Sequence, residues 1–280
     1  MNEVLTSQAA MQVSSGAIGG MIFSMVVSIL GPVLLLIVWR LKKKCNLIPA
    51  VAGAVTFIVA ALILEDIPKY FLFSGTNGVS EYILNHAWAY ALTGALLAGI
   101  FEECGRFITF RWFLGNHTAK ETAITYGIGH GGIECILLLG VGMISNLSLA
   151  FAINSGALTT LIGQLPADQA AAYELIAANL SASTFSLFLW SVWERIFALL
   201  FHIALSVLVF AAAQDKSRIY LFPLAILLHA GLDIFAALYQ FGVIGLPVTE
   251  LLITVLSIAC AFFAFRLYRR IGADSDSQAI

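Results

Sequence analysis

The sequence predicts an all-α, polytopic membrane protein: a bundle of about seven transmembrane helices. Three observations lead there. Hydrophobic residues make up 60% of the 280-residue chain and charged residues only 11%, whereas a soluble domain carries about 25% charged residues and cannot hide so much apolar surface. The apolar residues are gathered into runs long enough to cross a bilayer, which takes about 20 helical residues. Basic residues collect in alternate connections between those runs, the bias expected of loops on the cytoplasmic side. The formal net charge of -2 says nothing about nucleic acid, and no basic patch suggests it, so no nucleic-acid partner is expected. Cys45, Cys104, Cys135 and Cys260 show no paired spacing and read as small buried hydrophobes, not as disulfides.

In chain order, the first fifteen residues lack Lys and Arg, and so lack the basic start of a cleaved signal peptide. A first span over 17–39 is closed by Arg40, Lys42, Lys43 and Lys44, and a second covers 47–65. Asp66–His86 mixes aromatics with Pro68, Gly75 and Asn77 and is expected to lie along the interface. Spans three and four, 87–114 and 121–144, are joined by a turn bracketed by Arg111 and Lys120. Ser145–Leu180, rich in alanine, is expected to form short interfacial helices or a re-entrant hairpin. Span five, 183–213, is followed by Lys216 and Arg218, then span six over 219–240 and span seven over 247–268, which ends at Arg266, Arg269 and Arg270. Eleven of the 14 basic residues thus share one side, Lys69 is opposite, and Arg106 and Arg195 are inside spans. This bias predicts the N-terminus outside and the C-terminus inside. The expected organisation is one membrane domain over 1–280, with its polar motifs between about 87 and 240 and a disordered polar tail over 272–280.

Ionisable groups at bilayer depth cost about 3 kcal/mol each and mark function by default. Span three holds Glu102, Glu103 and Arg106; either acid can pair with the guanidinium at helical spacing, which leaves one acid in surplus. Span four carries His130 and Glu134 four apart in a glycine-rich stretch that allows close helix packing. Span five carries Arg195 and His202, and span six His229 and Asp233. Counted from the expected cytoplasmic ends at 1.5 Å per residue, Glu103, His130, Glu134, His202, His229 and Asp233 all fall roughly 14–21 Å deep. Agreement across four helices points to one shared pocket.

Hydrolysis requires a base to activate water, a donor for the developing oxyanion and a proton source for the leaving group. A buried glutamate beside arginine suits the first role and intramembrane histidines the others. In a metal-assisted version, His130, Glu134, His202 and His229 offer ligands for zinc, although no HExxH motif occurs; a glutamate-dependent version needs no cofactor. Blander readings stand beside these. The span-three charges form a structural pair, His130 is an interhelical hydrogen bonder, Asp233 orients His229, and Arg195 neutralises an acid. The aromatics Phe185, Phe188, Trp190 and Trp193 read as lipid-facing or interfacial. A proton- or cation-coupled transporter is the rival function, and broken helices near the site would distinguish it.

Glu102-Glu103-x-x-Arg106, the glycine-rich Gly127–Glu134 segment, Arg195 with His202, and His229-x-x-x-Asp233 resemble the YhfC-type intramembrane proteases, relatives of the PrsW and CAAX-processing enzymes. The resemblance spans about Ala87 to Tyr239. It implies a peptidase of the bacterial plasma membrane acting on a membrane-embedded peptide or protein, with the site in the cytoplasmic half of the bilayer. Glu102 and Glu103 match the paired glutamates, Arg106 the following basic residue, His202 the middle histidine, and His229 with Asp233 the last motif. Here the arginine follows the second glutamate by three residues, as in the PrsW-like pattern, which leaves open which glutamate faces the pocket.

Overall fold

The computed structural model describes residues 12–277, and every regular element among them is helical. α1 is Ser15–Lys43; α2, Ile48–Val59, continues through a π-helical turn at Ala60–Leu64. Short helices α3 (Asp66–Leu72) and α4 (Gly78–Asn85) lead to α5, Ala87–Ile108, which ends in a π-helical turn at Thr109–Phe113. α6, Glu121–Glu134, passes through a third such turn, Cys135–Val141, into α7, Gly142–Asn154. Then come α8 (Ala157–Ile162), α9 (Ala167–Ser181), α10 (Phe185–Gln214), α11 (Leu221–Gln240) and α12 (Leu246–Ser277). In place of the disordered tail expected over 272–280, the helix runs on through Ser277, since Gly272 alone does not break it; residues 278–280 lie outside the described ones.

Among the described residues, six helices are long and apolar enough to cross a membrane, and a seventh span is complete if α4 and α5, bent by 107° at His86, are taken together. That exception is informative: α5 is the helix that carries Glu102, Glu103 and Arg106. The expected outer connection 145–180 is helical, and its first part extends the fourth span to Asn154. Large apolar side chains such as Leu41, Trp112, Phe113 and Phe262 are exposed, as suits a surface in contact with lipid.

The chain forms two compact units. The first contains the described residues up to Gly31 together with Cys135–Arg195. Its core gathers Ala17, Met21, Leu139, Met143, Phe188 and Val192. Phe188 is therefore core, not lipid-facing, lying where a side chain at Gly20 would collide with it. Asn154 fastens the start of the described chain by bonding both N and O of Val13, at 2.8 and 2.9 Å.

The second unit, Pro32–Glu134 with the residues from Ile196 on, holds Phe110, Tyr126, Phe201, Leu205, Leu208, Phe210, Leu221 and Ile253 in its core. Arg111 donates to Ala213 O at 3.0 Å and Lys120 lies over the Tyr268 ring, so several basic helix ends meet at one end of this unit. Glycine sets how closely its helices approach. A Cβ on Gly129 would sit 2.0 Å from Ala50 O, and one on Gly53 would sit 2.3 Å from Tyr126 O, so α2 and α6 touch backbone to backbone. Gly127 and Gly131 serve α10 in the same way, facing Ile203 Cα and His202 Cβ. Gly99 lets α5 reach the α11 backbone at Ile226.

Candidate active site

These close approaches bring the polar residues of α5, α6, α10 and α11 together inside the second unit. Glu103 is fully buried and uses both oxygens: Oε2 accepts from Arg106 Nη1 at 2.9 Å, and Oε1 meets His229 Nδ1 at 2.7 Å. Glu102, next in sequence, faces the imidazoles instead. Its Oε2 lies 2.9 Å from His130 Nε2 and 4.0 Å from both His202 Nδ1 and His229 Nε2. The ring centroids of His130 and His202 are 5.1 Å apart, and those of His202 and His229 are 5.3 Å apart.

Donor and acceptor chemistry fixes the proton on His202. Arginine only donates, so His202 Nδ1, 3.1 Å from Arg106 Nη2, must accept. His202 is then neutral, with its proton on Nε2, which meets Glu134 Oε2 at 2.6 Å. His229 carries a proton on Nδ1, facing Glu103, and turns Nε2 toward Glu102 and, at 3.5 Å, Asp233 Oδ2. Two imidazoles thus have a carboxylate behind them and point their other nitrogen at a third carboxylate. Metal-binding histidines are commonly held in this manner.

Glu102, His202 and His229 each offer one ligand atom within 4.8 Å of one another. Tetrahedral zinc ligands of this type lie about 3.4 Å apart, so the set fits the ion once the ligand atoms close by up to about 1.4 Å. Charge agrees. Glu65, Glu102, Glu103, Glu134 and Asp233 gather around this layer, where Arg106 pairs with Glu103 and Lys69 with Glu65. Buried acids in such excess call for protons or a divalent cation.

Glu102, Glu103, Arg106, His130, Glu134, His202, His229 and Asp233 are all in this cluster. Arg195 belongs to the first unit and its guanidinium bonds Glu194. Glu65 was not foreseen. It is 1% exposed, follows the π-helical turn of α2, pairs with Lys69 Nζ at 2.6 Å and interacts electrostatically with Glu102 and Asp233. The one available signal was an acid closing an apolar run with lysine four residues on.

A model of the family described as YhfC intramembrane metalloprotease matches residues 26–254. The uncharacterized membrane protein YhfC of Bacillus subtilis (strain 168) is 33% identical over 261 residues, covering 92% of this chain and 100% of the relative. No solved structure matches. Most of the chain, including every helix of the Glu/His cluster, lies within the matched region, and the protein belongs to the YhfC intramembrane metalloprotease family.

Proposed function

We propose that the chain hydrolyses a peptide bond of a membrane-associated substrate at the Glu102–His202–His229 cluster, in the cytoplasmic half of the bilayer, with zinc as cofactor. The observation that carries this reading is the pair of carboxylate-backed imidazoles converging on Glu102. His202, His229 and Glu102 would hold the ion, whose Lewis acidity would polarise the scissile carbonyl and activate water. Around it the chain's own groups have separate tasks. Glu103 and Glu134 hold the His229 and His202 rings in place, Arg106 offsets Glu103, and His130 bonds Glu102. Asp233, with 31% of its side chain exposed beside His229, is the acid best placed to take the proton of the attacking water and return it to the leaving amine. α5, α10 and α11 are regular helix at Glu102, Glu103, His202 and His229, which favours hydrolysis over the transporter reading, while α6 gives way to a π-helical turn directly after Glu134.

The Arg106 contact with His202 Nδ1 favours a second, metal-free reading, because that lone pair is already engaged. Glu102 is then itself the base. Purified protein reconstituted with a panel of single-span peptides, with and without a chelator, separates the two. The metal reading expects product peptides that vanish with chelator and return with zinc. Chelator-resistant cleavage lost in Glu102→Ala moves the chemistry to the glutamate, and cleavage surviving Glu102→Ala and His202→Ala removes the site altogether. Glu134→Gln is further expected to weaken zinc affinity about 10–100-fold, read by chelator competition; unchanged affinity would show that Glu134 does not position His202.

A further inference from the structure

On the α2 side of the cluster lies a second set of polar atoms for which the hydrolytic reading has no use. Arg106 Nε and His130 Nδ1 are enclosed and have no hydrogen-bond partner, and the enclosed Tyr126 Oη has only a loose contact with threonine hydroxyls. They are neighbours. The Tyr126 and His130 rings, one turn apart on α6, stack at 5.9 Å. The Arg106 charge acts on Tyr126, whose hydroxyl lies beside Thr56 of α2 and Thr109 of the turn that ends α5. Those two threonines share a buried hydrogen bond of 2.8 Å. Thr122, Tyr126, His130 and Glu134 follow one another at four-residue intervals, so the polar line continues along one face of α6.

Unpaired donors and acceptors are costly in an apolar interior, and here their types are complementary. Arg106 Nε can only donate. His130 Nδ1 must accept, because the Nε2 proton is directed at the Glu102 carboxylate. Tyr126 Oη can do either. Bound water that accepts from Arg106 Nε and donates to His130 Nδ1 would satisfy these atoms, and the Tyr126 and threonine hydroxyls beside them can hold it.

We propose that Arg106 Nε, Tyr126 Oη, His130 Nδ1 and the Thr56–Thr109 hydroxyls form a bound-water site between α2, α5 and α6, and that this site supplies the water consumed at Glu102. The supply role rests on the hydrolytic reading above; the water site does not. Its test is radiolytic hydroxyl-radical footprinting of the full chain in lipid nanodiscs, since bound water makes even a buried side chain reactive. Tyr126, though 0% exposed, is expected to be labelled within about threefold of Tyr220, which is 62% exposed, while Phe210 in the apolar core reacts at least about tenfold more slowly. Thr109→Val is expected to reduce Tyr126 labelling about threefold or more, and Thr109→Ser to restore it. Tyr126 as unreactive as Phe210 overturns the site, as does labelling unchanged in Thr109→Val. In the peptide assay Thr109→Val should lower kcat with KM unaltered; an unchanged kcat overturns the supply role. If no peptide is cleaved by the wild type, the hydrolytic reading fails, and the labelling still decides the water site.

Discussion

Replacing Glu102 with glutamine is expected to lower kcat/KM for cleavage of a membrane peptide by about a thousandfold or more, with little change in thermal stability. The substitution preserves shape and removes only the charge around which three imidazoles are arranged. Either reading of the chemistry needs that charge, as a ligand or as the base. The fold does not, because Glu103 and Asp233 are close by and losing one negative charge relieves their repulsion. Peptide kinetics and a melting curve of the same sample check both halves. A large loss of stability would instead mark Glu102 as a structural partner of His130.

Gly129→Ala is expected to be the most damaging substitution away from the ionisable groups. Its Cβ would lie 2.0 Å from Ala50 O and 2.6 Å from Ala50 Cα, atoms that no rotamer change can move. α2 and α6 must separate, at a cost of about 3 kcal/mol or more. The movement also displaces His130, one residue on, from its 2.9 Å contact with Glu102, and misplacement by about 1 Å costs on the order of a hundredfold in rate. Gly142→Ala, with nothing within 4 Å, is the control and should be neutral or slightly stabilising. Equal melting temperatures for the two variants would contradict the close packing of α2 on α6.

Much of this was legible in the sequence because bilayer physics is severe. A charge inside an apolar run needs a partner, so the depth of Glu103, His130, His202 and His229 along their spans anticipated a shared site. Which glutamate faces it was not legible, since Arg106 stands four residues from Glu102 and three from Glu103 and helical spacing allows both pairs. The structure pairs Arg106 with Glu103, and the tertiary contact from His229 occupies its other oxygen. Glu65 escaped notice because it ends its span and has Lys69 four residues on. Its inward turn follows a π-helical segment that no residue pattern announces. Tyr126, Thr56 and Thr109 carry no charge, and their importance lies in hydrogen bonds between helices distant in sequence.

The most direct test is to incubate proteoliposomes of the wild type and Glu102→Gln with a single-span peptide in H2¹⁸O and analyse the products by mass spectrometry. A hydrolytic Glu102–His202–His229 site predicts two fragments from the wild type, one bearing a single ¹⁸O in its new carboxyl group, and intact peptide from the variant. Fragments formed equally by both proteins, or fragments without the label, would contradict it.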